Sequence, residues 1–165
     1  MPHYFCSIKK TDKKMNSTRF VITKESLSKR LFAASAHMVR ARESMGIPPE
    51  VGERMLITAD ELKTVEPLID NSINNVFCSI ESYHPGSSIE YSDNAYIFII
   101  NTPGNYPAEN GKKLKIAIES YIINHTLHSW YTGIKPDEAS IIAVQTQNDA
   151  TIIQQLLMQR TKPNI

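Results

Sequence analysis

The spacing of apolar residues is the feature that most constrains how this chain can fold. Apolar side chains recur every three or four residues through most of the 165-residue sequence, which is the period of a helix face. Between residues 88 and 101 the period falls to two, and turn residues at 92–94 separate two short apolar segments. The sequence therefore predicts an α+β fold, mostly α, with about four helices around one core and a small antiparallel β-hairpin near 88–101. The predicted helices cover residues 24–45, 58–83, 112–131 and 137–159.

Capping and helix-breaking residues predict the boundaries of the first two helices. Thr23 is a suitable N-cap for the first helix, and Gly46, which two prolines follow, is suited to end it. Thr58 and Glu61 have the three-residue spacing of a capping box, so we expect the second helix to begin there. Within that helix Pro67 removes one backbone donor and predicts a kink or a restart.

The third and fourth helices carry the features that suggest contact with other elements or partners. The apolar stripe of the third is too wide for a helix with one solvent-facing side, so we interpret Tyr121, Leu127 and Trp130 as core or interface anchors. Gly133 is suited to end this helix. The fourth has a polar interval at residues 145–149, which predicts that part of it is exposed or faces a partner.

Length and composition predict one ordinary globular domain. The chain has 165 residues, of which 41% are hydrophobic and 21% charged, so it can bury a core without disulfides or metals. Cys6 and Cys78 match no redox or metal spacing and are expected to be free thiols. No secretory signal or membrane span is predicted, so we expect a cytosolic location. We divide the chain into a basic N-terminal arm, residues 1–22, and a helical domain with a hairpin, residues 23–165.

The net charge of +1 hides a strong asymmetry along the chain. Residues 1–42 contain ten Lys or Arg and two acids, whereas residues 43–165 contain eight and fifteen. The arm includes a short predicted strand at residues 19–22 and is otherwise polar. Such an arm either docks on nucleic acid or an acidic protein surface, or is simply a solvated segment. The candidate docking residues are Lys9, Lys10, Lys13, Lys14 and Arg19.

No sequence motif predicts a catalytic, cofactor or metal site. Residues 104–113 precede a helix as a phosphate-binding loop would, but the glycine spacing differs and Lys113 stands where Ser or Thr would hold magnesium. His125 and His128 lack further ligands at a suitable spacing, which favours a packing or interface role. Residues 86–88 lack the glycine after the serine that a nucleophile elbow requires. We therefore expect no enzyme and no cofactor.

One stretch of the chain resembles a known family. Residues 57–163 have a capped helix, a short strand pair and an aromatic-studded helix in that order, followed by WYTGIKPDEA at residues 130–139 and RTKP at residues 160–163. This arrangement resembles the small neck and head-to-tail connector proteins, or adaptor ring proteins, of tailed bacteriophages and prophages. The resemblance does not extend to the basic arm.

The resemblance implies a non-enzymatic virion structural protein. Such a protein forms a homo-oligomeric ring between the portal or capsid and the tail, and assembles in the host cytoplasm. Its partners would be copies of itself, the portal or neighbouring neck and tail ring proteins, and DNA in the channel, with no membrane contact. The alternative is a small cytosolic module that binds nucleic acid or protein through its basic arm, for which salt-dependent DNA affinity is expected.

Overall fold

The computed structural model describes residues 15–161, apart from the side chain of Met15. The described part is mostly helical with a small antiparallel sheet, as predicted. In chain order its elements are β1 (Met15–Thr23), α1 (Lys24–Glu43), α2 (Pro49–Met55), α3 (Leu62–Tyr83), β2 (Ser88–Tyr91), β3 (Ala95–Pro103), α4 (Asn110–Thr132) and α5 (Pro136–Met158).

The prediction of about four helices omitted α2. Thr23 caps α1 as expected, because its hydroxyl accepts a hydrogen bond from the Ser26 backbone N–H at 3.2 Å. At Gly46 the backbone has a φ of +85°, a conformation that glycine adopts without steric cost. Pro49 then occupies the first turn of α2, where its missing N–H is not needed. The glycine and prolines therefore end one helix and also start another.

The predicted division between arm and domain was wrong for residues 15–22, because these residues belong to the sheet. The sheet has three strands in the order β1-β3-β2, and both neighbours of β3 are antiparallel to it. The hairpin of β2 and β3 was predicted, but β1 pairs with all nine residues of β3, from Met15 opposite Pro103 to Thr23 opposite Ala95. This pairing extends the predicted strand upstream into polar residues, which can form a strand at an edge of a sheet.

Helix α3 begins later than the capping-box prediction. The Glu61 carboxylate accepts a hydrogen bond from the Thr58 backbone N–H at 2.9 Å, which is half of the expected box. The Thr58 side chain instead bonds the Glu61 carboxylate and the Asp60 backbone N–H. Residues 59–61 consequently form a turn, and the helix starts at Leu62. Helix α3 continues through Pro67 as one element, so this proline removes a donor without restarting the helix.

Helix α4 is the central element of the described fold. It packs against α5, α3, α1 and β1, and it separates α5 from the sheet, because α5 has no extensive contact with any strand in the described residues. Leu114, Ile118, Ile122 and Leu127 are buried in the core that these elements share. Burial on several sides explains why its apolar stripe is so wide. One surface of α5 and one face of the sheet are left pointing outward.

Candidate interaction surface

Helix α5 carries a row of exposed apolar side chains. Its inner side, which includes Ile142, Ile153 and Leu157, is buried in the core. Ile141, Val144 and Ile152 nevertheless expose 48%, 62% and 46% of their surface. Residues at these spacings lie on one side of a helix, together with the exposed polar residues at 148 and 155. We call this side the α5 outer face and define it by Ile141, Val144, Asn148, Ile152 and Gln155.

The sequence of α5 contains a signal for this face. Ile141 and Ile142 are adjacent, as are Ile152 and Ile153, and adjacent helical residues differ by about 100° in direction. One member of each pair is buried and the other is exposed. The polar interval at residues 145–149 lies within the unbroken helix, and Asn148 belongs to the exposed side.

Helix α5 is also acidic. Its 23 residues include Asp137, Glu138 and Asp149, and none is Lys, Arg or His. Glu138 is buried, and its charge is balanced by Arg42 of α1, with a 2.6 Å contact from Nε to Oε1 and a 2.9 Å hydrogen bond from Nη2 to Oε2. Asp149 accepts a 2.7 Å hydrogen bond from Asn124, and burial raises the pKa of its carboxyl. Asp137 is exposed and lies 3.6 Å from the ammonium of Lys135.

The outward face of the sheet offers a second, smaller apolar area. Ile97 and Ile99 of the central strand are partly buried on this face, and the adjacent Val21 on β1 is 38% exposed. The flanking charges are Arg19, which pairs in register with Ile99, and Glu90, which pairs with Ile97. The predicted docking residue Arg19 therefore lies exposed at the edge of this face. Lys9, Lys10, Lys13 and Lys14 lie outside the described residues.

The described chain begins and ends at the same end of the fold. Met15 pairs with Pro103 at the start of β1, and Thr161 donates a 2.8 Å backbone hydrogen bond to the Asn105 carbonyl. We call this region the entry end and define it by Met15, Pro103, Asn105 and Thr161. Close by, Gly111 at the start of α4 lies against Thr18 of β1. Three exposed cations lie on the segments that meet here: Lys112, Lys113 and Arg160.

The three predicted anchors have different environments on α4. Leu127 is buried in the core. Tyr121 is half-buried and stacks on His125 with ring centroids 5.6 Å apart, and burial raises the pKa of its hydroxyl. Trp130 is half-buried against the core, and its Nε1 has no hydrogen-bond partner among the described residues.

The two histidines of α4 connect it to other helices. The Ser72 hydroxyl of α3 lies 2.9 Å from His125 Nδ1, and the Asn75 amide lies 3.2 Å from its Nε2. Burial, with a smaller effect from His128, lowers the pKa of His125 and so favours a neutral ring. His128 Nδ1 lies 2.9 Å from the Ala139 carbonyl of α5. These contacts are those of a packing role, and Ser72 is fully buried, so its hydroxyl is not exposed to a substrate from solvent.

Within residues 15–161, no three or more His, Cys, Asp or Glu side chains are grouped so that they could hold a metal ion. None of the helices in the same range combines the length and apolar character needed to cross a membrane.

No protein-family model, curated protein or solved structure matches this chain.

Proposed function

We propose that this chain is a non-enzymatic virion structural protein that forms a homo-oligomeric connector or neck ring between the portal or capsid and the tail. The observation that supports the proposal is the α5 outer face. Its three apolar side chains are close to half exposed or more, although they lie on a helix whose other side is fully buried. An exposed apolar row on a rigid element is typical of a surface that another protein covers.

The arrangement of the two outward faces supports a ring. The α5 outer face and the outward face of the sheet belong to elements that α4 separates within one subunit. Two different surfaces on one molecule suit a head-to-tail contact, in which each copy uses one surface toward each neighbour. Such contacts close into a ring when a whole number of rotations from one copy to the next adds up to 360°. In this proposal the partners are further copies of the chain and the portal, neck or tail rings above and below.

The test compares the native mass and particle content of wild type and a surface variant. Ile141→Ser, Val144→Ser and Ile152→Ser together should abolish the oligomer and incorporation into particles, because they remove the apolar contact. Their effect on the thermal unfolding midpoint should be small, because these side chains are largely exposed. The control variant carries Met45→Ser and Ile116→Ser, which alter two exposed apolar residues on other surfaces and should leave assembly unchanged. A wild-type chain that is both monomeric at all concentrations and absent from particles would contradict the proposal.

A second candidate function is a small binding module that uses the basic arm on nucleic acid. It is favoured by the cations Lys112, Lys113 and Arg160, which add to the charge of the arm where the chain enters the fold. Salt-dependent affinity of the isolated subunit for DNA of arbitrary sequence would support this function. Loss of that affinity in a variant with Lys112→Ser and Lys113→Ser would assign it to the entry end.

A further inference from the structure

We propose that residues 1–14 of one copy dock along the α5 outer face of the neighbouring copy. This inference rests on the proposed oligomer and names the segment that covers its exposed helix face. It is supported by the position of the entry end, by the reach of the segment, and by the match of charge and apolar character between the segment and α5.

The entry end sets the height along a ring axis at which the segment leaves its own subunit. Residues 1–14 join the fold at Met15, opposite Pro103, and the residues that follow α5 return to the same region through Thr161 and Asn105. Rotation about a ring axis keeps equivalent points at one height. The entry end of one copy is therefore level with the C-terminal end of α5 in the next copy.

The position of β1 favours docking between copies over docking within one copy. Within one copy the segment starts on the β1 side of α4, whereas the α5 outer face points away from α4, so the segment would have to turn around the end of its own fold to reach that face. In a head-to-tail ring the sheet side of one copy adjoins the α5 side of the next. The segment then meets a neighbour's α5 without crossing its own fold.

The segment is long enough for the whole face. Fourteen extended residues span at most roughly 46–50 Å, whereas a 23-residue helix is roughly 34 Å long. If roughly 7 Å of the extended segment is used in crossing from Met15 to the neighbouring copy, Lys9 and Lys10 lie roughly 10–15 Å along its helix, level with Asp149. Cys6 then lies roughly 23–25 Å along, close to Val144 and Ile141, and Tyr4 and Phe5 lie nearer the N-terminal end of α5.

From Asp149 toward the N-terminal end of α5, charge and then apolar character follow the same order as in the segment. The lysines of the segment lie closer to Met15 than its apolar residues, Tyr4, Phe5 and Ile8. On α5, read from its C-terminal end, Ile152 and Asp149 come first, followed by Val144 and Ile141. A lysine beside the half-buried Asp149 carboxylate would balance a charge that burial disfavours. Because α5 contains no Lys, Arg or His, no positive charge within the helix repels the lysines of the segment.

The native Cys6 allows a direct test by disulfide formation between full-length chains. One chain carries Cys78→Ser and keeps Cys6. Its partner carries Cys6→Ser, Cys78→Ser and Val144→Cys. After the two are mixed and mildly oxidised, we expect a species at twice the 18.6 kDa subunit mass in which peptide mass spectrometry finds Cys6 joined to the cysteine introduced at position 144. The matched control replaces Val144→Cys with Lys63→Cys, an exposed position on α3, and should give several times less product.

Charge variants test the lysines separately. Replacing Lys9, Lys10, Lys13 and Lys14 with Ser should reduce the yield at position 144 severalfold, and so should high salt. Replacing Lys112 and Lys113 with Ser should leave the yield unchanged, because these exposed lysines lie on α4 and not on the segment.

The outcomes separate this inference from the proposed function. Preferential product at position 144 supports docking between copies. Equal product at positions 63 and 144, or no product, overturns the inference. A chain with Cys6, Cys78→Ser and Val144→Cys that closes a disulfide within itself, while the mixture gives no linked species, also overturns it. In each overturning case a wild-type oligomer that the Ile141, Val144 and Ile152 variant abolishes would leave the proposed function intact.

Discussion

The pair Arg42 and Glu138 shows how one buried charge depends on its partner. Glu138 is 4% exposed and is bound through two contacts to a guanidinium on another helix. A buried carboxylate without a partner is strongly destabilising, because it has lost its hydration and gained no compensating charge. The pair therefore holds α1 against the first turn of α5, close to Ile141 at the N-terminal end of the α5 outer face.

Arg42→Met should lower the free energy of unfolding by about 3 kcal/mol, since it leaves Glu138 buried and unpaired. Adding Glu138→Gln removes the buried charge and should restore more than half of that loss. Lys29→Met breaks a pair whose side chains are both exposed and should leave the midpoint nearly unchanged. Urea unfolding followed by circular dichroism measures all three variants. An Arg42→Met variant as stable as wild type would show that the ion pair does not stabilise the fold.

At the level of elements, the contact between β1 and α4 fixes where the N-terminal segment enters. A Cβ at Gly111 would lie 3.0 Å from the Thr18 Cγ2 methyl, which is closer than ordinary packing allows. Gly111 thus permits the close approach of the helix start to the strand. A Cβ at Gly133, by contrast, would meet no atom within 4 Å.

Gly111→Ala should lower the free energy of unfolding by about 1 kcal/mol, because overpacking between β1 and α4 outweighs the gain in helix propensity. Thr18→Ser removes the opposing methyl and should restore stability in the double variant. Gly133→Ala should instead stabilise by about 0.5 kcal/mol, since it restricts the unfolded chain without a clash. Thermal unfolding of the four proteins gives the comparison. A more stable Gly111→Ala single variant would show that β1 is not held tightly against α4.

At the scale of the whole molecule, the two outward faces determine how an assembly would grow. A head-to-tail contact that closes gives particles of one size, whereas one that does not close gives fibres. We expect native mass spectrometry of the assembled protein to show a single multiple of the 18.6 kDa subunit that stays constant as concentration rises. Averaged images of virions should show a symmetric ring at the junction of capsid and tail. A mass that increases continuously with concentration would contradict ring closure.

The sequence by itself determined the features that depend on neighbouring residues. Thr23 as an N-cap, the end of α1 before Gly46 and the hairpin of β2 and β3 all depend on contacts within a few positions. The end of α4 before Gly133 is equally local. Local hydrogen bonds and backbone preferences suffice for such features, which is why they could be predicted.

Only the tertiary structure decided which surfaces face outward. β1 extends to Met15 because β3, about 80 residues later, offers a full-length edge. Ile141 and Ile142 are equally apolar, yet the position of α4 buries one and leaves the other exposed. Arg42 and Glu138 are 96 residues apart and meet only once the helices pack. Spacing along a chain gives the period of an element, whereas the direction of each face depends on long-range contacts that the period does not specify.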